Sequence, residues 1–264
     1  MDRDKLLRWL PWVSTPLLLV LIIAAWKIST EVSGVSRFVL PAPEDVALTL
    51  LELVRQSDVW LVHTRVTVTE TLVGFAFALA GGVIAGAVLG RVLWLERAVR
   101  PVVVALQVIP KVALVPLFVI WFGFGITSKI IIAATLAFFP IMLNVMLGVR
   151  SVEPGHREVM QSLGATRWQT FAALEFHSIL PYVFAGMEVG IVFALIGAIV
   201  GEYLGGNEGL GYMVVVSLNA LDAPQLFAVI ILLAALGSVL FFAVNGLKRL
   251  MIPWHESVIE RSVT

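Results

Sequence analysis

Two ionisable side chains stand inside long apolar runs, Lys111 within 101–123 and Glu188 within 179–201. Counted from the same side of a membrane, Lys111 is about ten residues in and Glu188 about nine. At about 1.5 Å of rise per residue both reach roughly 15 Å, near the midplane of a hydrocarbon core about 30 Å thick. An isolated charge there costs on the order of 2.5–3.5 kcal/mol, so each needs a partner or water. The spacing therefore predicts a shared pathway on which Lys111 and Glu188 pair, directly or through water. Two alternatives stand beside it: Lys111 touches an anionic solute itself, or a distortion at Pro110 lets it snorkel to an interface. Pro110, Pro116, Trp121 and Asn144 complete the candidate pathway residues.

Other chemistries lack their parts. No lysine follows a glycine, so the chain has no phosphate-cradling P-loop, and His-Glu-x-x-His and Gly-x-Ser-x-Gly are both missing. The four histidines, 63, 156, 177 and 255, fall in separate segments without metal-ligand spacing, and there is no cysteine for disulfide, thiol or metal chemistry. Eighteen basic and eighteen acidic residues give a formal charge of zero, which argues against a nucleic-acid partner. No enzyme, cofactor or metal site is expected in this chain.

The elements that must hold those residues are apolar. Of 264 residues, 59% are hydrophobic and 14% charged, and mean hydropathy is +0.98, far above a soluble domain. Runs of about 20 apolar residues predict six membrane spans, at 12–33, 66–90, 101–123, 128–149, 179–201 and 224–247. Arg3, Lys5 and Arg8 before the first run suggest a signal peptide, but Trp9 to Trp26 is long, lacks a small-x-small cleavage site and ends on Lys27, so it reads as a retained span. Arg91, Arg97, Arg100, Arg150, Arg157 and Arg167 fall on one side, which places both termini and the segment 153–181 in the cytoplasm.

Within the spans, small residues Gly74, Gly81, Gly82, Gly86 and Gly90 predict close helix packing. Pro101, Pro110 and Pro116 predict a kinked or broken third span, and a break is tolerated in a bilayer only when covered or lining a wet cavity. This span is expected at the centre of the bundle. The segment 34–64 reads as an interfacial amphipathic helix after Leu40-Pro-Ala-Pro43, and Trp60, Trp94 and Trp254 as boundary anchors.

One stretch is polar, Glu153 to Pro181. Pro154 suits a first helical turn, Gly164 a left-handed stop, and Thr166 with Gln169 a capping box for a second helix. Val159, Met160, Leu163, Trp168 and Phe171 are expected to cluster around the turn, with Arg157, Glu158, Gln161 and Arg167 at its edges. Either it packs on its own bundle or something docks on it.

Glu158, Gly164 six residues on and Leu174 ten further resemble the cytoplasmic EAA signature of permease subunits in ABC importers. Ser162 to Gln169 and Pro181 fit; Val159 and Met160 stand where two alanines are usual, and His177 where proline is. The glycine-rich Gly201-Glu-Tyr-Leu-Gly-Gly-Asn-Glu-Gly-Leu-Gly-Tyr212 resembles the GEF…GLGY segment of the same permeases. The resemblance runs from about residue 40 to Trp254. It is closest to permeases serving nitrate, taurine, alkanesulfonates and thiamine-precursor pyrimidines. Ile109-Pro-Lys-Val-Ala113 and Glu70 lean toward the pyrimidine branch.

The resemblance implies an all-α membrane protein with six transmembrane helices and the type I ABC importer permease core. Taken with the apolar runs and the basic residues, it gives a cytoplasmic N-terminus at 1–11, a transmembrane permease domain at 12–250 with its coupling segment at 153–181, and a cytoplasmic tail at 251–264. Glu158, Ser162, Leu163, Gly164, Ala165, Arg167, Trp168 and Phe171 would form the coupling helix against an ATPase, and Glu202, Gly205, Gly206, Gly209 and Gly211 an outer gate. Its implied partners are two ATP-binding cassette subunits carrying ATP and Mg, a second permease copy, an extracytoplasmic substrate-binding protein and membrane lipid, at a bacterial inner membrane. An ion-gradient-driven secondary transporter, which usually shows internal repeats and midplane carboxylates, and a non-transporting scaffold are the competing classes.

Overall fold

A computed structural model describes residues 3–32, 34 and 36–255, with the side chains of 3–13 and 15 outside the description. The expected tail therefore lies mostly outside the described residues. The described chain is helical: α1 Arg3–Val32, α2 Pro43–Arg55, α3 Arg65–Arg91, α4 Leu93–Val108, α5 Val115–Phe122, α6 Ile126–Arg150, α7 Pro154–Ser162, α8 Arg167–Thr170, α9 Phe176–Gly205, α10 Leu210–Asn219 and α11 Ala223–Met251. Wider π turns at Val59–Thr64 and Phe171–Glu175 lead into α3 and α9.

Among the described residues four helices are long and apolar enough to cross a membrane: Val59–Arg91, Ile126–Arg150, Arg167–Gly205 and Ala223–Met251. Leu93–Val108 with Lys111–Phe122 makes a fifth if read as one span, although the pair is bent by 81°. The expected first span coincides with α1, whose Leu17 to Ile23 are exposed.

The bundle is organised by what small residues permit. Lipid tails are as apolar as any core, so helices in a membrane associate through close packing and not through burial from water. On α3, Gly74, Ala78, Gly82, Gly86 and Gly90 recur every fourth residue and form one ridge, as do Ala133, Ala137, Ile141, Val145 and Val149 on α6. The two ridges meet: a Cβ placed on Gly86 would lie 2.5 Å from the Met142 carbonyl. Ala133, fully buried, is flanked on both sides, since a Cβ on Gly74 or on Gly197 of α9 would come within 2.6 Å of it. Hence α3, α6 and α9 form the centre, sharing one core that includes Phe75, Ile141, Phe184 and Ile191.

That centre displaces the broken span. It is broken, as its prolines predict, but it lies at the edge, with Val102, Val104, Leu106, Ile120 and Trp121 exposed. It lacks the small-residue ridge that would let it approach α6 as closely as α3 does. Each proline acts differently. Pro101 sits inside α4, Pro110 precedes the short 3₁₀ turn Lys111–Leu114, and Pro116 lies in the first turn of α5, where no helical N–H bond is lost.

The expected interfacial helix is α2. Its Val46 and Leu53 are buried with Leu210, Val214 and Val229, while Leu48 and Leu51 stay exposed. Trp26 ties α1 to this corner by donating to the Pro41 carbonyl at 3.0 Å and by packing on Phe227 at 5.8 Å. Lys27 is paired with Glu44 and Glu31. The Lys27 ammonium holds the Glu44 carboxyl below its ordinary range through their hydrogen bond.

Candidate functional site: two ends and a break

Helix α3 measures the distance between two candidate regions. Thr67 near its start and Arg91 at its end are about 36 Å apart at about 1.5 Å per residue, and each belongs to a different polar assembly.

At the Arg91 end lies 153–181. Pro154 is in the first turn of α7, Gly164 has φ +74°, and Thr166 with Gln169 closes a capping box on α8. All three local readings hold because neighbours in sequence decide them. The apolar set does not close on itself. Trp168 packs on Phe171 at 5.6 Å, but Leu163, Trp168 and Val159 are 76%, 73% and 56% exposed. Glu158, Ser162 and Arg167 are exposed with them, and Ala165 is partly covered. Beneath this surface a groove of about 700 Å³ runs past Arg91, Arg157, Gln161, Trp168 and Phe171.

One carboxylate fastens the segment to the bundle. Glu175 accepts from Arg91 at 2.6 Å and from Arg157 at 3.1 Å, while the Arg91 guanidinium lies 5.3 Å from the Phe171 ring. Thus α3, α7 and the π turn meet at Glu175. Sequence reasoning missed it; its only signal is a lone carboxylate between Phe171 and Phe176 in an otherwise apolar stretch.

At the Thr67 end lies 201–212. Three consecutive backbone N–H groups at the start of α10 are each taken by a side chain. Gly209 donates to His63 Nδ1 at 3.1 Å, Leu210 to Thr67 Oγ1 at 2.9 Å, and Gly211 to Glu202 Oε2 at 2.5 Å. These are donors that a helix start leaves without intrahelical acceptors. Thr67 in turn donates to Glu202 Oε1 at 2.6 Å. Of the candidate gate glycines, Gly209 alone has positive φ, +110°; Gly205 ends α9 and Gly211 lies inside α10.

Behind Glu202 stand Glu70 and Lys129. All three are buried, and Lys129 Nζ lies 3.3 Å from Glu70 Oε1. His63, Thr67, Glu70 and Lys129 are absent from the sequence-derived site. The available signal was a carboxylate and an ammonium inside spans 66–90 and 128–149, but both fall near span ends, where charges are ordinarily solvated.

Between the two ends, the pairing of Lys111 with Glu188 is not formed. Glu188 Oε1 accepts from Lys248 Nζ and Asn245 Nδ2, each at 3.2 Å. Depth counted along a span fixes only an axial coordinate, and rotation of α9 turns Glu188 toward Lys248 and Asn245 of α11. Lys111 instead points at α6, its ammonium 4.8 Å from the Phe139 ring. With Pro110 it lines a cavity of about 380 Å³. Trp121, Pro116, Asn144 and Glu188 are not among that cavity's lining residues. Asn144 bonds back to the Pro140 carbonyl at 2.9 Å.

Among the described residues no group of three or more His, Asp or Glu could hold a metal ion. What the arrangement offers is mechanical: an exposed apolar platform, a locked loop at the far end, and a break with a cavity between.

The family described as binding-protein-dependent transport system inner membrane component matches residues 78–254. Over 247 residues the chain is 35% identical to the riboflavin transport system permease protein RibX of Chloroflexus aurantiacus, covering 94% of this chain and 92% of the relative. It is 34% identical over 240 residues to the formylaminopyrimidine transport permease protein ThiX of Halalkalibacterium halodurans, covering 91% and 95%. To the putative aliphatic sulfonates transport permease protein SsuC of Escherichia coli it is 32% identical over 259 residues, covering 97% and 95%.

Proposed function

The chain belongs to the binding-protein-dependent transport system inner membrane components, the permease subunits of ABC importers, and from that premise we propose how it works. Six spans, α1 included, form the permease with both termini in the cytoplasm. The segment α7–α8 is the coupling helix. ATP and Mg act on two partner ATPases, and a second copy of this chain completes the membrane core. An extracytoplasmic binding protein delivers solute to the end carrying 201–212.

The observation that carries this reading is the exposed set Val159, Leu163 and Trp168, held out by a local turn and fastened through Glu175 to α3. Large apolar side chains with a charged rim mark a docking surface. Closure of the ATPases would move α7, and Glu175 would pass that movement to Arg91 and α3. Glu158 and Arg167 sit on the rim. At the far end Glu202, Gly205, Gly206, Gly209 and Gly211 make the outer gate, and Pro110, Lys111, Pro116, Trp121, Asn144 and Glu188 belong to moving parts along the pathway.

The solute is a small heterocycle of the pyrimidine kind, with sulfonates, taurine and nitrate as the other candidates. Names of relatives motivate this panel, from riboflavin and formylaminopyrimidine to aliphatic sulfonates. The test is uptake into proteoliposomes holding this chain, its ATPase and its binding protein, with each panel solute offered in turn. ATP-dependent accumulation of one solute supports the reading. Uptake that follows an ion gradient and ignores ATP and the binding protein would replace it with a secondary transporter.

A further inference from the structure

Cations inside this bundle come with carboxylates. Lys129 has Glu70 at 3.3 Å, Lys248 has Glu188 at 3.2 Å, and Arg150 has Glu96 at 3.4 Å. All three cations lie within about a turn of a helix end, where the cost of a charge is least. Lys111 departs from this pattern at the costliest level. Its ammonium lies over Phe139, near the middle of α6. Among the described residues no carboxylate oxygen comes within 4.0 Å of it, and its hydrogen bond, to the Gln107 carbonyl, is long at 3.4 Å.

The fold goes out of its way to put it there. Pro110 has no N–H to continue α4, and the chain swings through 81° between Leu93–Val108 and Lys111–Phe122. Lys111 thereby enters the cavity of about 380 Å³ whose walls include Gln107, Phe139, Pro140, Leu143 and Phe193. That volume suits a small ligand. Apart from Lys111 and the Gln107 side chain, its lining side chains are apolar.

Resting on the permease reading, we infer that this cavity is a transit site for a small solute, at most singly anionic, that presents one electron-rich oxygen to Lys111. Its planar or apolar body lies among Phe139, Pro140 and Phe193. A carboxylate, a sulfonate or a ring carbonyl supplies the same acceptor chemistry. One ammonium neutralises one charge, so a dianion would bring an uncompensated charge against an apolar-lined, partly open pocket and is disfavoured. A cation is rejected by Lys111 directly.

Two measurements on the assembled complex test this. In the first, Lys111 is labelled with an amine-reactive reagent and followed by peptide mass spectrometry, alone and with butanesulfonate, uracil or tetramethylammonium present. Labelling slowed by butanesulfonate assigns the acceptor to an anion, and labelling slowed by uracil assigns it to a ring carbonyl. No labelling of Lys111, no protection by either acceptor, or equal protection by tetramethylammonium overturns the inference. In the second, Lys111→Met lowers ATP-driven uptake about tenfold or more, as loss of one charge-assisted contact implies. Lys111→Arg keeps most uptake, and ATPase stimulation by the binding protein persists in both. Full uptake by the methionine variant overturns the site. Absence of ATP-driven uptake in the parent strikes the permease reading instead, and leaves the labelling result to stand alone.

Discussion

The two ends of α3 solve opposite problems. At the Thr67 end, buried polar groups are answered largely from within the chain: Glu202 accepts from Thr67 and Gly211, and His63 takes the Gly209 N–H, while Glu70 has Lys129 at 3.3 Å but neither of its oxygens accepts a hydrogen bond among the described residues. At the Arg91 end, Trp168 and Leu163 are turned out to solvent, and Glu175, which clasps the segment to α3, is an ion pair with two partly exposed arginines. The first end is finished without a partner, and the second is not. Stability is therefore concentrated where the chain satisfies itself, while the Arg91 end presents surface that contributes little to the fold.

Four substitutions, with Gly205→Ala as a control, probe that contrast, in descending order of expected effect on the protein's own stability. Lys129→Met strips the cation from two buried carboxylates; breaking a buried pair by removing one partner costs about 3–5 kcal/mol. A large fall in the midpoint of detergent thermal unfolding is expected, and an unchanged midpoint would mean that this end is not internally locked. Gly209→Ala places a side chain where φ is +110° and ψ is 162°, a region nearly restricted to glycine and costing about 1–3 kcal/mol. The new Cβ would also run into the Glu202 carboxylate. Uptake should fall while the ATPase still binds, and Gly205→Ala, at the last residue of α9 and without positive φ, should be milder.

At the other end, Gly164→Val strains a left-handed turn by about 1–2 kcal/mol, yet a Cβ there meets nothing within 4 Å. Its cost is conformational and local. The unfolding midpoint should barely move, while ATP-driven uptake collapses; retained uptake would remove α7–α8 as the coupling element. Trp168→Ala should be nearly silent for folding, within about 0.5 kcal/mol for an exposed site. As an exposed aromatic anchor it should nonetheless cost about 2 kcal/mol or more in affinity for the ATPase, read by co-purification or titration. An equal loss of stability in Trp168→Ala and Lys129→Met would erase the difference between the ends.

Glycines sharpen the same lesson. Gly86 is needed for space, because a Cβ would strike the Met142 carbonyl, whereas Gly164 is needed for its φ and has space to spare. Composition alone marks both as glycine and cannot say which reason applies.

By itself the sequence determined what short-range physics controls. Long apolar runs fixed α3, α6, α9 and α11 to within a few residues, because a span must satisfy its own backbone bonds within one helix. Pro154, Gly164 and the Thr166–Gln169 box fixed the turn between α7 and α8, since every interaction involved is at most a few residues long. Proline at 110 announced the break. Only the tertiary structure decided which charges meet. Glu188 and Lys248 are 60 residues apart, Thr67 and Glu202 135 apart, and His63 and Gly209 146 apart. Such pairs depend on the rotation and axial offset of packed helices, which follow from which small-residue ridge sits in which groove. Depth along a helix can be counted from sequence; the azimuth that turned Glu188 to α11 and left Lys111 over Phe139 is set by packing.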